Sequence, residues 1–134
     1  MEDVKIKLSA LWVARMLSGF LGDVLRYMQP GILEKLINGN VDGMEITHEL
    51  LFISALIMVL PILMVYLSLT LKDSLNQWLN IGIAIFFFCF DFVGLIMFTS
   101  SYEIVVIGIG LLFNILTVWH AWKWRSENKK NISN

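Results

Sequence analysis

The sequence predicts an all-α protein, a four-transmembrane-helix bundle with both termini cytoplasmic. Three observations carry that expectation. Apolar residues make up 57% of the 134-residue chain and charged residues only 16%, against about 45–50% and about 25% in a typical soluble domain. The apolar residues gather in four stretches, each long enough to supply the about 20 helical residues that a bilayer core requires. Within them, a run such as FISALIMVLPILMVYLSL shows none of the alternating polarity of a barrel strand. By the length criterion the spans cover about 8–28, 48–70, 78–98 and 102–124 in one domain of residues 1–134, with a surface helix at about 31–38.

The first span carries an anomaly: ALWVARMLSGFLGDVLRYMQPG places Arg15, Asp23 and Arg26 among apolar residues. At about 100° per residue, Gly22, Arg26, Gly19, Trp12 and Asp23 all fall in an arc about 100° wide beside Arg15. Val13, Leu17, Phe20 and Val24 point the other way. The helix therefore has a lipid face and a polar, small or aromatic face. Ser18 and Gly22 form a small-xxx-small pair suited to close helix packing. Asp23 and Arg26 are i,i+3 neighbours and are expected to pair. Arg15 and Asp23 lie about 12 Å apart along the axis, too far to bond directly. Arg15 is expected to reach Asn114, Asp91, water or the headgroups.

Pro30 and Gly31 end the first span. GILEKLI then sets Ile32, Leu33, Leu36 and Ile37 against Glu34 and Lys35, as in a short amphipathic helix on the membrane surface. NGN and the Asp42–Gly43 pair supply turns, and Thr47 is placed to cap the second span. Pro61 falls in the middle of that span, where it frees the carbonyl of Ile57 and predicts a kink.

In the third span Asn76, Asn80, Ala84, Phe87, Asp91 and Gly94 share one arc, and in the fourth Gly110, Asn114, Thr117 and Ala121 do. These read as the inward stripes of a bundle. The Phe-rich run around Asp91 reads as ordinary lipid and core packing. A tight turn at Thr99–Ser101 makes the last two spans an antiparallel hairpin. Glu49 and Glu103 mark outer span ends and are expected to be solvated. Trp119, Trp122 and Trp124, beside Lys123 and Arg125, read as an interfacial anchor. The tail SENKKNISN is expected to fray.

Orientation follows from the cations. Lys5, Lys7, Lys72, Lys123, Arg125, Lys129 and Lys130 collect on one side, which is therefore cytoplasmic, and only Arg26 and Lys35 on the other. The first apolar segment is expected to remain in the mature chain, because Glu2 and Asp3 spoil a signal-peptide n-region.

Several function classes are excluded. The net charge of −1 and the absence of a basic stripe exclude nucleic acid as a partner. His48 and His120 are far apart, Cys89 is alone, and no metal-ligand spacing exists. Gly108–Gly110 lies inside an apolar run with no preceding strand, so it is no dinucleotide fingerprint. No cofactor and no catalytic residue is assigned.

KIKLSALW at 5–12, GDVL at 22–25, QPG at 29–31, GMEIT at 43–47 and WHAWKWR at 119–125 resemble an uncharacterised family of small bacterial four-span membrane proteins. That resemblance runs nearly end to end and implies the bacterial inner membrane. More loosely, the first span is similar to the opening of DoxX-like four-helix proteins, some associated with quinone or thiosulfate redox chemistry.

The sequence reading is thus a non-enzymatic inner-membrane protein in which Arg15, Asp23, Arg26, Asp91 and Asn114 form a polar core. That core would bind or pass a small solute, ion or proton, since ionisable groups inside a membrane mark function by default. The alternatives are a quinone-interacting oxidoreductase subunit and a structural or assembly protein. The partners expected are the lipid bilayer, a small-molecule ligand and further copies of the chain in a homo-oligomer.

Overall fold

The computed structural model describes residues 3–41, 43–97 and 100–133. The expectations on Glu2, Asp42, Phe98 and Thr99 lie outside the described residues. Among the described residues there are five helices: α1 (Asp3–Tyr27), α2 (Ile32–Ile37), α3 (His48–Thr70), α4 (Asp73–Met97) and α5 (Ser101–Ser133). Of these, α1, α3, α4 and α5 are long and apolar enough to cross a membrane. A helix meets that demand because it satisfies its own backbone hydrogen bonds where no water can.

The connection from α1 to α3 holds more order than its turn residues announced. Gly31 takes a left-handed conformation, φ 87°, immediately before α2. Ile32 is buried and Leu36 half-buried, while Leu33 and Ile37 stay exposed. The expected single apolar side is therefore split, since 32 and 36 form one stripe and 33 and 37 the next. After α2, β1 (Asn40–Val41) and β2 (Met44–Glu45) make a short antiparallel ladder that was not foreseen. The Asn40 side-chain carbonyl accepts from the Gly43 N–H at 3.0 Å, and Gly43 sits at φ 86°. Thr47 caps α3 as expected, its hydroxyl accepting from the Leu50 N–H at 3.1 Å.

Around the bundle, α1 packs along α3 and α5, α4 packs along α5, and α3 meets α4 over a short stretch. Helices α1 and α4 thus face each other across the interior and touch through long side chains. The buried residues follow the arcs read from sequence: Asn76, Asn80, Ala84 and Phe87 on α4, and Gly110, Asn114, Thr117 and Ala121 on α5. Val13, Leu17, Phe20 and Val24 are exposed.

Packing is concentrated in the half of the bundle that holds the chain ends. One apolar cluster joins Leu8, Ile81, Ala121 and Trp124. The next joins Trp12, Met64, Ala84 and Phe87, with Ile57 against it. A polar seam fastens the same half. Trp12 Nε1 donates to Asn80 Oδ1 at 2.7 Å. Asn80 Nδ2 donates to Asn76 Oδ1 at 2.7 Å. Asn76 Nδ2 donates to the Ser68 carbonyl at 2.8 Å, and Ser9 Oγ to the Val65 carbonyl at 2.8 Å. Lys5 pairs with Asp73 at 3.3 Å. The other half is held by a close approach: Ser18 Oγ donates to the Val106 carbonyl at 3.1 Å, and Gly22 lies against Val106.

Two expectations about α5 are corrected. Trp124 is not an interfacial ring; it is 5% exposed and packs in the core. The stripe 110, 114, 117, 121 continues by helical spacing to 124, so Trp124 points inward, and only Trp119 and Trp122 remain exposed. The tail does not fray but extends α5 to Ser133. No Gly or Pro follows Gly110, and adding residues to a formed helix is far cheaper than nucleating one. Pro61 is accommodated within a continuous α3 and is buried.

These contacts separate two glycines. A Cβ on Gly22 would lie 2.9 Å from Val106 Cγ1, whereas one on Gly82 would meet nothing within 4 Å. Gly22→Ala is expected to cost about 1–3 kcal/mol through overpacking, and Val106→Ala in the same chain to recover much of it. Gly82→Ala is expected to be neutral or to stabilise by up to about 1 kcal/mol. Unfolding of the detergent-solubilised protein checks all three; equal effects at both glycines would contradict the assigned α1–α5 contact.

Candidate functional site

At mid-height, α1, α4 and α5 converge on one carboxylate. Arg15 Nη2 donates to Asp91 Oδ1 at 2.8 Å and to Oδ2 at 3.0 Å. Asn114 Nδ2 donates to Asp91 Oδ2 at 2.8 Å. The side chains of Arg15 and Asp91 are 6% and 14% exposed. Each is there because its helix turns it inward: Arg15 one turn beyond Trp12, Asp91 one turn beyond Phe87, Asn114 one turn beyond Gly110.

Small residues make the space. A Cβ on Gly110 would come within 3.3 Å of Asp91 Oδ2, and one on Gly19 within 3.3 Å of Arg15 Nη1. The Phe87 ring lies under the guanidinium, 4.6 Å from centroid to Cζ, and a ring face attracts a cation by about 0.5–2 kcal/mol. Desolvating two charges is costly, and the pair persists only because the geometry is close and Asn114 satisfies a further lone pair.

The guanidinium is incompletely used. Both of its hydrogen bonds leave from Nη2. Nε is buried and has no hydrogen-bond partner among the described residues. Nη1 sits beside Gly19. Arginine has five N–H donors in a fixed fork; of those unused here, Nε is sealed within the packing and Nη1 lies next to the space that Gly19 leaves.

Arg15 borders a cavity of about 490 Å³ lined from all four long helices. Arg15, Gly19, Asp91 and Gly110 form its floor. Asp23, Arg26 and Glu103 line it towards the far end of α1, and Arg26 stands about 16 Å along the axis from Arg15. The size falls within the about 300–1,000 Å³ typical of ligand pockets.

The five residues singled out from sequence are therefore distributed. Arg15, Asp91 and Asn114 form one hydrogen-bonded set. Asp23 and Arg26 line the cavity further along α1, Asp23 exposed and Arg26 half-buried. Asp91 lies level with Arg15, where α4 packs against Gly110 and Asn114 of α5. Among the options for Arg15, the structure selects Asp91. Glu103, expected to be solvated, is half-buried on the cavity wall. Its helical spacing to Val106, Ile107 and Gly110 was the signal. Ser9, Ser68 and Gln77, which also lie buried, were not singled out because isolated polar residues at a span end resemble ordinary boundary residues.

The site offers hydrogen-bond donors, a carboxylate and low-dielectric walls. Among the described residues no group of three or more His, Cys, Asp or Glu is placed to hold a metal ion. Cys89 is exposed, away from the floor.

Removing one member of the ion pair strands a buried charge. Arg15→Met alone is expected to destabilise the solubilised protein by about 3–5 kcal/mol, and the double replacement Arg15→Met with Asp91→Leu by much less. A double-mutant cycle on thermal unfolding measures the coupling; additive losses would mean that the two side chains do not interact.

A comparison with curated proteins and a comparison with solved structures each find no match. A family model does match, over residues 1–131. The chain belongs to this family of unknown function, DUF6326.

Proposed function

We propose that this is a multi-pass membrane protein of the inner membrane that binds or passes a small solute, ion or proton through the cavity above Arg15 and Asp91. One observation carries the reading: an ion pair within the spanning helices borders a cavity that Asp23, Arg26 and Glu103 also line. A bridge serving only to fix helix register would be sealed by packing, as Trp12 and Asn80 are. Asp91 and Arg15 hold the ligand at the floor, Asn114 orients the carboxylate, and Asp23 and Arg26 add charge to the cavity wall. The activity is binding or passage, not catalysis.

A second reading, a quinone-interacting oxidoreductase subunit, draws on Arg15 and Phe90 lining the same cavity, which suit a carbonyl and a flat ring. Exposed apolar residues on every side of the first turns of α3 leave a surface for a homo-oligomer.

Both chain ends and the α3–α4 link lie at one end of the bundle, with the cations named above. We place that end in the cytoplasm. In a Cys89→Ser background, Ser126→Cys is expected to resist an impermeant maleimide in intact cells while Glu45→Cys reacts; the reverse pattern would invert the topology.

Ligand retention tests the function. Native mass spectrometry of the full chain extracted in mild detergent is expected to show a retained small molecule whose occupancy falls at least about tenfold in Asp91→Asn, since one lost charged contact is worth about 1.4 kcal/mol or more. Liposomes holding a pH-sensitive dye cover the proton case. No retained molecule and no flux above empty liposomes would reduce the cavity to a packing defect.

A further inference from the structure

Resting on the cavity as a binding site, we infer that its ligand is a neutral, lipophilic molecule with a carbonyl head, which enters sideways from the hydrocarbon between α3 and α4.

The route follows from how α3 is packed. Its second half is fastened to the bundle through Val65, Ser68 and Met64. From His48 to Leu60 no residue is buried. Leu51, Phe52, Ile53 and Leu56 are exposed although they lie on different sides of the helix. α3 meets α4 over a short stretch only, and the cavity wall includes Met58 of α3, Phe90 of α4 and Phe20 of α1, whose exposure, 37%, 48% and 68%, makes them its rim. These rim residues are apolar and lie within the spanning stretches, so the opening faces acyl chains and not water.

The chemistry of the head follows from the floor. Arg15 and Asp91 neutralise each other through Nη2 and, with Nε sealed in the packing, the donor left for a ligand is Nη1 of Arg15. The whole cavity wall carries Arg15 and Arg26 against Asp23, Asp91 and Glu103, so the carboxylates are in excess. An anionic head would meet that excess, and a cationic head would meet the guanidinium. A neutral oxygen accepts from Arg15 without adding charge. Gly19 leaves Nη1 open to it, and Met16, Phe20, Met58 and Phe90 line a path for the apolar body.

Three photoprobes of equal chain length, each carrying one diazirine, separate these claims: a methyl ketone, the corresponding carboxylate and the plain hydrocarbon. The full chain is placed in phosphatidylcholine nanodiscs, irradiated and mapped by peptide mass spectrometry. The ketone is expected to label the segments around Phe20, Met58 and Phe90 at least fivefold more than the hydrocarbon. Met58→Trp, which narrows the rim and leaves the floor intact, is expected to cut that labelling at least threefold. Equal labelling by the hydrocarbon, or stronger labelling by the carboxylate, overturns the neutral carbonyl head. Labelling unchanged by Met58→Trp overturns the α3–α4 route. If any of these occurs while native mass spectrometry still shows a retained water-soluble molecule lost in Asp91→Asn, only the lipophilic class falls. If nothing is retained and no probe is selective, the binding reading falls with it.

Discussion

The bond between Arg15 and Asp91 is the constraint around which the molecule is arranged. It spans the interior of the bundle, joining two helices that do not otherwise run side by side. A bare charge at the bilayer centre costs roughly 2.5–3.5 kcal/mol on insertion scales, so each partner requires the other. That requirement fixes the rotation of α1 and α4 about their axes. It also fixes the height of α4 against α5, because Asn114 must reach the same carboxylate and Gly110 must make room for it.

Order then divides along the long axis. On the side of the chain ends, aromatic packing and the Trp12–Asn80–Asn76–Ser68 chain of hydrogen bonds lock α1, α3 and α4. Such a network is strong in a low dielectric when its members are satisfied. On the other side, glycines at 19, 22, 94 and 110 replace bulk, the first half of α3 buries no residue, and a cavity takes the place of a core. The ion pair lies at the border between these regimes, rigidly supported from one side by Phe87 and open on the other. A fixed polar floor under a less packed entrance is a form suited to binding.

Much of this was legible in the residues. The four spans, the lipid face of α1, the inward arcs of α4 and α5 and the Thr47 cap all follow from periodicity and local chemistry, which act within one helix. What sequence misjudged involved contacts between helices. Trp124 and Glu103 were assigned to the boundary by residue type, although their spacing already placed them on the inward stripe. The short ladder at 40–45 escaped because two-residue strands leave no periodic trace. Asp23 was grouped with Asp91 because both face inward, and helical angle says nothing about height across helices.

By itself the sequence determined that the charged side chains of the spans gather on interior faces, because composition and the 3.6-residue repeat decide which side of a helix lipid can accept. Only the tertiary structure decided which of them meet. The partner of Arg15 and the cavity beside it depend on how far one helix slides and tilts against its neighbours. Close packing at Gly22, Gly110 and Asn80 sets those distances, and no single helix contains them.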